Sequence, residues 1–515
     1  MGPLDELGPT IICCGLIEEL PLYRKLHKKM SESQNTTTDL GVPQMIAWGS
    51  LFPRTAVAKF LAETSLILLV CACVLAPNVT LRPTWPFVRT ETLMLVFFVV
   101  VYGWLLLAGL AKPFRPNAFY GIGLLFSVCT TVSVVYGTAI LNHELLYRDL
   151  FEIPKAYYPV AFFAFAYEAE ISEKGLARLL NYYAVAAALV CLYGWAQFLR
   201  LGIANRFNPY YTDFGHNYLA LVKYNRILST MANPNCLGQL MSWTLCIYLL
   251  AFLFDVGSRA RNVGISLMCV ITVALTGSRY GLLASALGLF LIMWLSFSAR
   301  SGVGKLIVLM LVVTLSYPVF IAVSKNSYWA AKRFEALKNP LQVDSVRGRL
   351  DVLWLDAGGY FLSSPWVGHG PVKKIFDGIY TDSEYLDILK WYGIAGLIVY
   401  LGYYFWPLHE IYKTLKRLPL ADHQFEEQLK ANLVILRAGF VIFILALFMN
   451  IGESTYWSFY LVGFLWTWCG LAVRASHFVA EVEAQHGVRS VTAPYRLLPR
   501  PACKPFSWDR AGGAA

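Results

Sequence analysis

Apolar runs of about 20 residues recur along this chain, each long enough to cross a hydrocarbon core of about 30 Å. A backbone in lipid must satisfy its own N–H and C=O groups, and runs of this length do so as helices. The composition agrees: 57% of the 515 residues are hydrophobic and only 15% are charged, against about 25% in a soluble chain. An all-α, polytopic integral membrane protein is therefore expected.

About twelve spans are expected, near 56–76, 92–111, 118–141, 153–168, 179–199, 236–255, 262–277, 280–298, 303–324, 390–408, 431–450 and 455–474. The fourth is short and opens on Pro154 and Lys155. The chain then divides into a cytoplasmic segment 1–55, nine spans over 56–324, a large periplasmic loop 325–389, three spans over 390–475 and a cytoplasmic tail 476–515. Within the large loop, Leu350, Leu353, Trp354, Ala357 and Phe361 recur at three- and four-residue steps, an amphipathic helix suited to the membrane surface. The first 50 residues are mixed and polar and do not read as a cleavable signal, so the first span is expected to direct insertion.

Parity places Arg226, Arg279 and Arg347 on one face, because two spans separate each from the next. The short loops of the opposite face carry Lys112, Arg115, Lys174, Arg259, Arg261, Arg300, Lys305, Lys413, Lys416, Arg417 and Lys430, which marks that face as cytoplasmic. The outward arginines thus break the charge rule, and such exceptions mark function. The net charge of +11 suits anionic lipid or phosphate, and no basic stripe points to nucleic acid. Most of the eleven cysteines sit inside apolar runs, and the absence of paired C-x-x-C spacing argues against a metal site or a disulfide framework.

Five segments of that outward face carry chemistry. Arg226 leads into Asn233-Pro234-Asn235, where proline ends backward extension and asparagine caps a helix whose first amides attract anions. Thr276-Gly277-Ser278-Arg279-Tyr280-Gly281 makes a tight hairpin that presents a guanidinium at headgroup level, matched to a phosphate by two parallel hydrogen bonds. Each also has a bland reading: a well-capped helix with an exposed arginine at Arg226, and a side chain snorkelling to the interface at Arg279. Arg347 and Arg349 open the surface helix, where Arg347 and Asp351 are spaced for an ordinary ion pair. His369, between Gly368 and Gly370, titrates in the range of a proton donor or acceptor, although a lone histidine there is more often incidental. Asp382 and Glu384 precede the tenth span and read either as proton acceptors for a hydroxyl or as acids matched to a helix start.

In their order and spacing over about 200–405, these motifs resemble the O-antigen polymerase and ligase superfamily of bacterial membrane glycosyltransferases. The resemblance implies a metal-independent, cofactor-free transferase of C-type architecture in the inner membrane, with its active site at the periplasmic face. The donor would be a polyprenyl-diphosphate-linked glycan and the acceptor a glycan or lipid, with membrane lipids and a chain-length regulator as further partners. Carried over, Arg226 and Arg279 would hold the diphosphate, with Arg347 or Arg349 as a third contact. Ligases of this kind commonly place a His-Asn pair before the tenth span, whereas this chain has Asp382-Ser383-Glu384. That departure favours a polymerase of O-antigen or exopolysaccharide repeats over a ligase to lipid A core, and leaves the base open among Asp382, Glu384 and His369. A transporter of lipid-linked sugars would need arginines too, but is expected to show related halves and broken spans.

Overall fold

A computed structural model describes residues 56–79, 88–89, 92–97, 99–100, 117–146, 149–150, 152–169, 171–211, 216–231, 233–296, 348, 353–372, 374–376, 381–418, 429–453 and 459–485. Its principal helices are α1 (Ala56–Leu75), α2 (Ala118–Ala139), α3 (Tyr158–Glu168), α4 (Glu173–Phe198), α5 (Pro234–Leu253), α6 (Arg259–Thr276), α7 (Arg279–Ser296), α8 (Trp354–Ser363), α9 (Glu384–Leu415), α10 (Lys430–Met449) and α11 (Phe459–Gln485). Among the described residues the one strand ladder pairs Asn78 with Arg89 and Val79 with Val88. The chain is a helical, polytopic membrane protein.

Six of these helices, α2, α4, α5, α6, α9 and α10, are long and apolar enough to cross a membrane. The apolar stretches Ala62–Leu75 in α1 and Arg279–Leu295 in α7 are shorter. The expected span 153–168 forms α3, which at 11 residues is too short to cross alone. The expected span 303–324 and most of 92–111 lie outside the described residues, as do Arg347 and Arg349. Of the expected surface helix, α8 is described from Trp354, and it presents Leu355 and Leu362 outward.

Helix α5 sits at the centre, buried along nearly its whole length and packed against α6, α7 and α10. Lipid tails are as apolar as leucine, so helices associate here through close packing and small residues. A Cβ on Gly281 would lie only 2.9 Å from Gly238 Cα, so both must be glycine for α5 and α7 to meet. One turn on, Ser242 Oγ donates to a carbonyl and lies 2.9 Å from Ser285 Oγ, joining the two helices with a polar contact. Trp243, Phe464, Trp468 and Tyr183 pack together between α5, α11 and α4, with Trp243 and Phe464 stacked and Trp468 edge-on to Tyr183.

Helix α9 is broken at Gly393, whose φ of 64° and ψ of −167° are not helical. The break removes the usual i→i−4 bonds there, and residues 365–370 replace them. Lys390 O and Trp391 O accept from His369 N at 3.0 Å and Gly370 N at 2.8 Å. Ile394 N and Ala395 N donate to Pro365 O at 2.8 Å and Trp366 O at 3.4 Å. Two carbonyls and two N–H groups beside the kink thereby find partners, as a helix in lipid requires. The same loop lies on α2: Ser133 Oγ is 2.6 Å from Val367 O, and Gly137 packs directly on the His369 carbonyl.

Candidate functional site

The N-terminus of α5 is built locally. Asn233 is its cap, accepting from Asn235 N at 2.8 Å, and Pro234 occupies the first turn, where its missing N–H costs nothing. Preceding this cap, the half-buried Arg226 reaches back across the hairpin of α6 and α7. Its Nε donates to Thr276 O at 2.8 Å and its Nη2 to Asn235 Oδ1 at 3.0 Å. Asn235 Nδ2 in turn donates to Glu453 Oε2 at 2.8 Å.

The hairpin itself needs glycine at one point. Gly277 takes a left-handed conformation (φ 59°, ψ 24°) as the cap of α6, and its N–H donates to Ala274 O at 3.1 Å. The wholly buried Ser278 accepts from Gly281 N at 3.1 Å and so starts α7. Arg279, half-buried, is the first residue of α7, three positions beyond the carbonyl that holds Arg226. The Tyr280 hydroxyl packs against Gly452, the residue before Glu453.

The end of α10 ties a further element to this cluster. Asn450 O accepts from Glu384 N at 2.9 Å, and Asn450 Nδ2 lies 3.0 Å from the hydroxyls of both Tyr400 and Tyr404. Tyr400 also donates to the Glu384 carboxylate. Glu384 is fully buried, enclosed by groups from α9 and α10. It therefore anchors the start of α9. Asp382, two residues earlier, is exposed and holds a left-handed φ of 52°. Asn and Asp are the non-glycine residues that best tolerate that region.

Asp382 lies beside a buried ion pair: Lys390 Nζ is 2.7 Å from Asp387 Oδ1, and both side chains are nearly inaccessible. Thr381 Oγ1 is 2.8 Å from the same carboxylate oxygen, and Trp354 Nε1 donates to Thr381 O at 3.0 Å, so α8 is tethered to this turn. Lys390 Nζ also lies 5.0 Å from the centroid of the Phe376 ring.

His369 has both ring nitrogens engaged. Nε2 is 2.9 Å from Tyr360 O and 2.8 Å from Ser363 Oγ, while Nδ1 is 3.0 Å from His143 Nε2. A carbonyl only accepts, so Nε2 carries the hydrogen and Nδ1 accepts from His143. Burial first, and the facing His369 second, push the His143 imidazole below its ordinary range. Glu144 and Lys374, paired with each other, are the neighbouring charges on this surface.

The structure thus brings Arg226 together with the hairpin that carries Arg279, and sets the Glu384 anchor on the same end of α10. His369 belongs to a separate cluster, joined to the first through α9. Sequence reading had not singled out Glu453, Asn450, Tyr280, Tyr400 or His143. Glu453 did carry a signal: it is an acid in a connection free of Lys and Arg. Among the described residues no three His, Cys, Asp or Glu cluster to hold a metal ion.

Residues 264–401 match the family described as O-antigen ligase. The matched stretch covers well under half of the chain and includes Arg279, His369, Asp382, Glu384 and the Gly393 break, while Arg226, Asn235 and Glu453 fall outside it. The match supports the resemblance to the O-antigen polymerase and ligase superfamily. A comparison with curated proteins gives no match.

Proposed function

We propose that the chain is a membrane glycosyltransferase that moves a glycan from a polyprenyl diphosphate to a sugar hydroxyl at the periplasmic face of the inner membrane. The observation that carries this reading is the convergence of Arg226, the Arg279 hairpin, Asn235 and Glu453, from three separate connections, within the O-antigen ligase resemblance. In this reading twelve spans surround the site, 325–389 forms the outer loop, and Arg347 or Arg349 completes the anion contact.

The arginines hold the diphosphate of the donor. The acceptor oxygen attacks the anomeric carbon as the bond to the diphosphate breaks on the opposite side, so configuration inverts. The proton of the acceptor hydroxyl passes to a carboxylate, and the diphosphate leaves with its charge balanced by the guanidinium groups. Asp382 suits the proton transfer better than Glu384, because it is exposed while Glu384 is enclosed by Tyr400 and Asn450. His369 has both nitrogens occupied and serves to hold the 365–370 loop.

The Asp382-Ser383-Glu384 sequence favours polymerisation of repeat units, with a chain-length regulator as partner. The family description favours the second reading, ligation to lipid A core. The test is purified protein in lipid, supplied with a polyprenyl-diphosphate oligosaccharide and lipid A core. Longer oligomers with free polyprenyl diphosphate support the polymerase, and glycosylated core supports the ligase. Translocation without product refutes both in favour of a transporter.

A further inference from the structure

The Asn235 amide lies between two groups of opposite charge. Its Oδ1 accepts from Arg226 Nη2 at 3.0 Å, and its Nδ2 donates to Glu453 Oε2 at 2.8 Å. Only one orientation of the amide satisfies both. Turned over, its NH₂ would face a guanidinium, which only donates, and its carbonyl would face a carboxylate, which only accepts. Arg226 and Glu453 therefore select the same orientation of Asn235, and Glu453 holds the amide by its far end with Oδ1 turned to the arginine. Thr276 O holds Nε of Arg226 at 2.8 Å from the other side. A guanidinium is a rigid planar fork, so pinning Nε and Nη2 fixes the plane of the whole group.

Glu453 is itself well placed to act as a reference point. Its N–H donates to Met449 O at 3.0 Å at the end of α10, and the preceding Gly452 packs on the Tyr280 hydroxyl at the start of α7. One short turn thus touches the helix that begins with Arg279 and, through Asn235, orients Arg226.

We propose that Glu453 is a positioning residue: acting through Asn235, it fixes the plane of the Arg226 guanidinium before an anionic diphosphate ligand arrives. The proposal rests on the transferase reading above and names a residue outside the segment that matches the family.

Exchanging donor and acceptor tests it. In Asn235→Asp two carboxylates face each other and the bridging N–H is lost. Turnover should fall about tenfold or more, with a higher KM for the lipid-linked donor, on the scale of a hydrogen bond to a charged group. In Asn235→Asp/Glu453→Gln the amide and the carboxylate have traded places. The amide now at 453 donates to the carboxylate now at 235, which still accepts from Arg226, and the net charge is unchanged. Turnover should return to within about threefold of wild type, because the coupling between the two contacting side chains is restored. Glu453→Gln alone should be milder than Glu453→Ala, because its carbonyl still accepts from Asn235. A double variant no better than Asn235→Asp, or Glu453→Gln as impaired as Glu453→Ala, overturns the proposal. Thermal unfolding of the detergent-solubilised proteins reads the same link without chemistry. If wild type shows no transfer, the transferase reading fails, and loss of melting temperature in Asn235→Asp with recovery in the double variant still decides the link.

Discussion

The break in α9 makes a quantitative prediction at Gly393. A Cβ there would lie 2.7 Å from Val367 N and closer still to the Trp366 carbonyl, both backbone atoms with no side-chain freedom to yield. The backbone, at φ 64° and ψ −167°, occupies a region open essentially only to glycine, at a cost of about 1–3 kcal/mol for another residue. If the 365–370 loop backs away, four hydrogen bonds between it and residues 390–395 are stretched or lost, each worth about 1 kcal/mol net. The stiffer unfolded chain returns only about 0.4–1 kcal/mol. Gly393→Ala should therefore cost about 4–7 kcal/mol, a large share of the 5–15 kcal/mol that holds a typical fold. Gly402→Ala on the same helix is the control: the nearest atom its Cβ meets is an Ile122 methyl at 3.4 Å, and alanine is the better helix former. The assay is the fraction of monodisperse protein surviving a temperature ramp in detergent. Gly393→Ala should lose the monodisperse peak well below wild type, and Gly402→Ala should match or exceed it. Equal survival of Gly393→Ala and wild type would show that the loop does not splint the helix, and the account of the break would fall.

Three further outcomes follow from other parts of the structure. Arg226→Ala and Arg279→Ala should each lower transfer by about 10²–10³ while the protein stays monodisperse, as removal of a preorganised charge partner does; full activity in either would remove that residue from the site. Lys390→Met should destabilise by about 3–5 kcal/mol by leaving Asp387 buried without its partner, and Asp387→Asn/Lys390→Met should recover most of the loss in the same thermal ramp. The depressed His143 makes stability depend on pH, with a definite sign. Its folded form takes up a proton less readily than the unfolded chain, so stability is complete above its ordinary value near 6.5 and falls as pH drops below it. Wild type should lose more thermal stability between pH 7.5 and 5.5 than His143→Gln; equal losses would show that the His143–His369 contact does not set this dependence.

What was legible in the sequence was local. The cap at Asn233-Pro234-Asn235 and the turn at Gly277-Ser278 read correctly because a helix end is decided within four residues. The weak fourth span was also visible, since Pro154 and Lys155 leave too few apolar residues, and α3 is indeed short. The Gly393 break was not legible. A glycine inside an apolar run reads as a packing glycine, and only the loop 365–370, more than twenty residues earlier, supplies the peptide groups that make a kink affordable in lipid. His369 read as a candidate acid or base because its partner His143 lies 226 positions away. Glu384 read as a carboxylate before the membrane, whereas its surroundings come from Tyr400, Tyr404 and Asn450.

The arginines and Glu453 show why one sign of charge was easier to find than the other. An arginine in an outward loop violates the positive-inside bias and stands out at once. Glu453 breaks no such rule and lies in none of the motifs, although a half-buried guanidinium requires polar partners that hold its orientation. Here those partners come from other connections: a carbonyl of the α6–α7 hairpin, the amide at the start of α5, and, one step further, the carboxylate beyond α10. Hairpins of equal parity meet at the same membrane face, so parity fixes where the compensating acid must lie even when its distance in sequence is large. Applied to this chain, that reasoning selects the turn after α10, because it carries an acid and no base. Charge balance across connections of one face is thus a stronger guide to the second layer of such a site than any motif within a single loop.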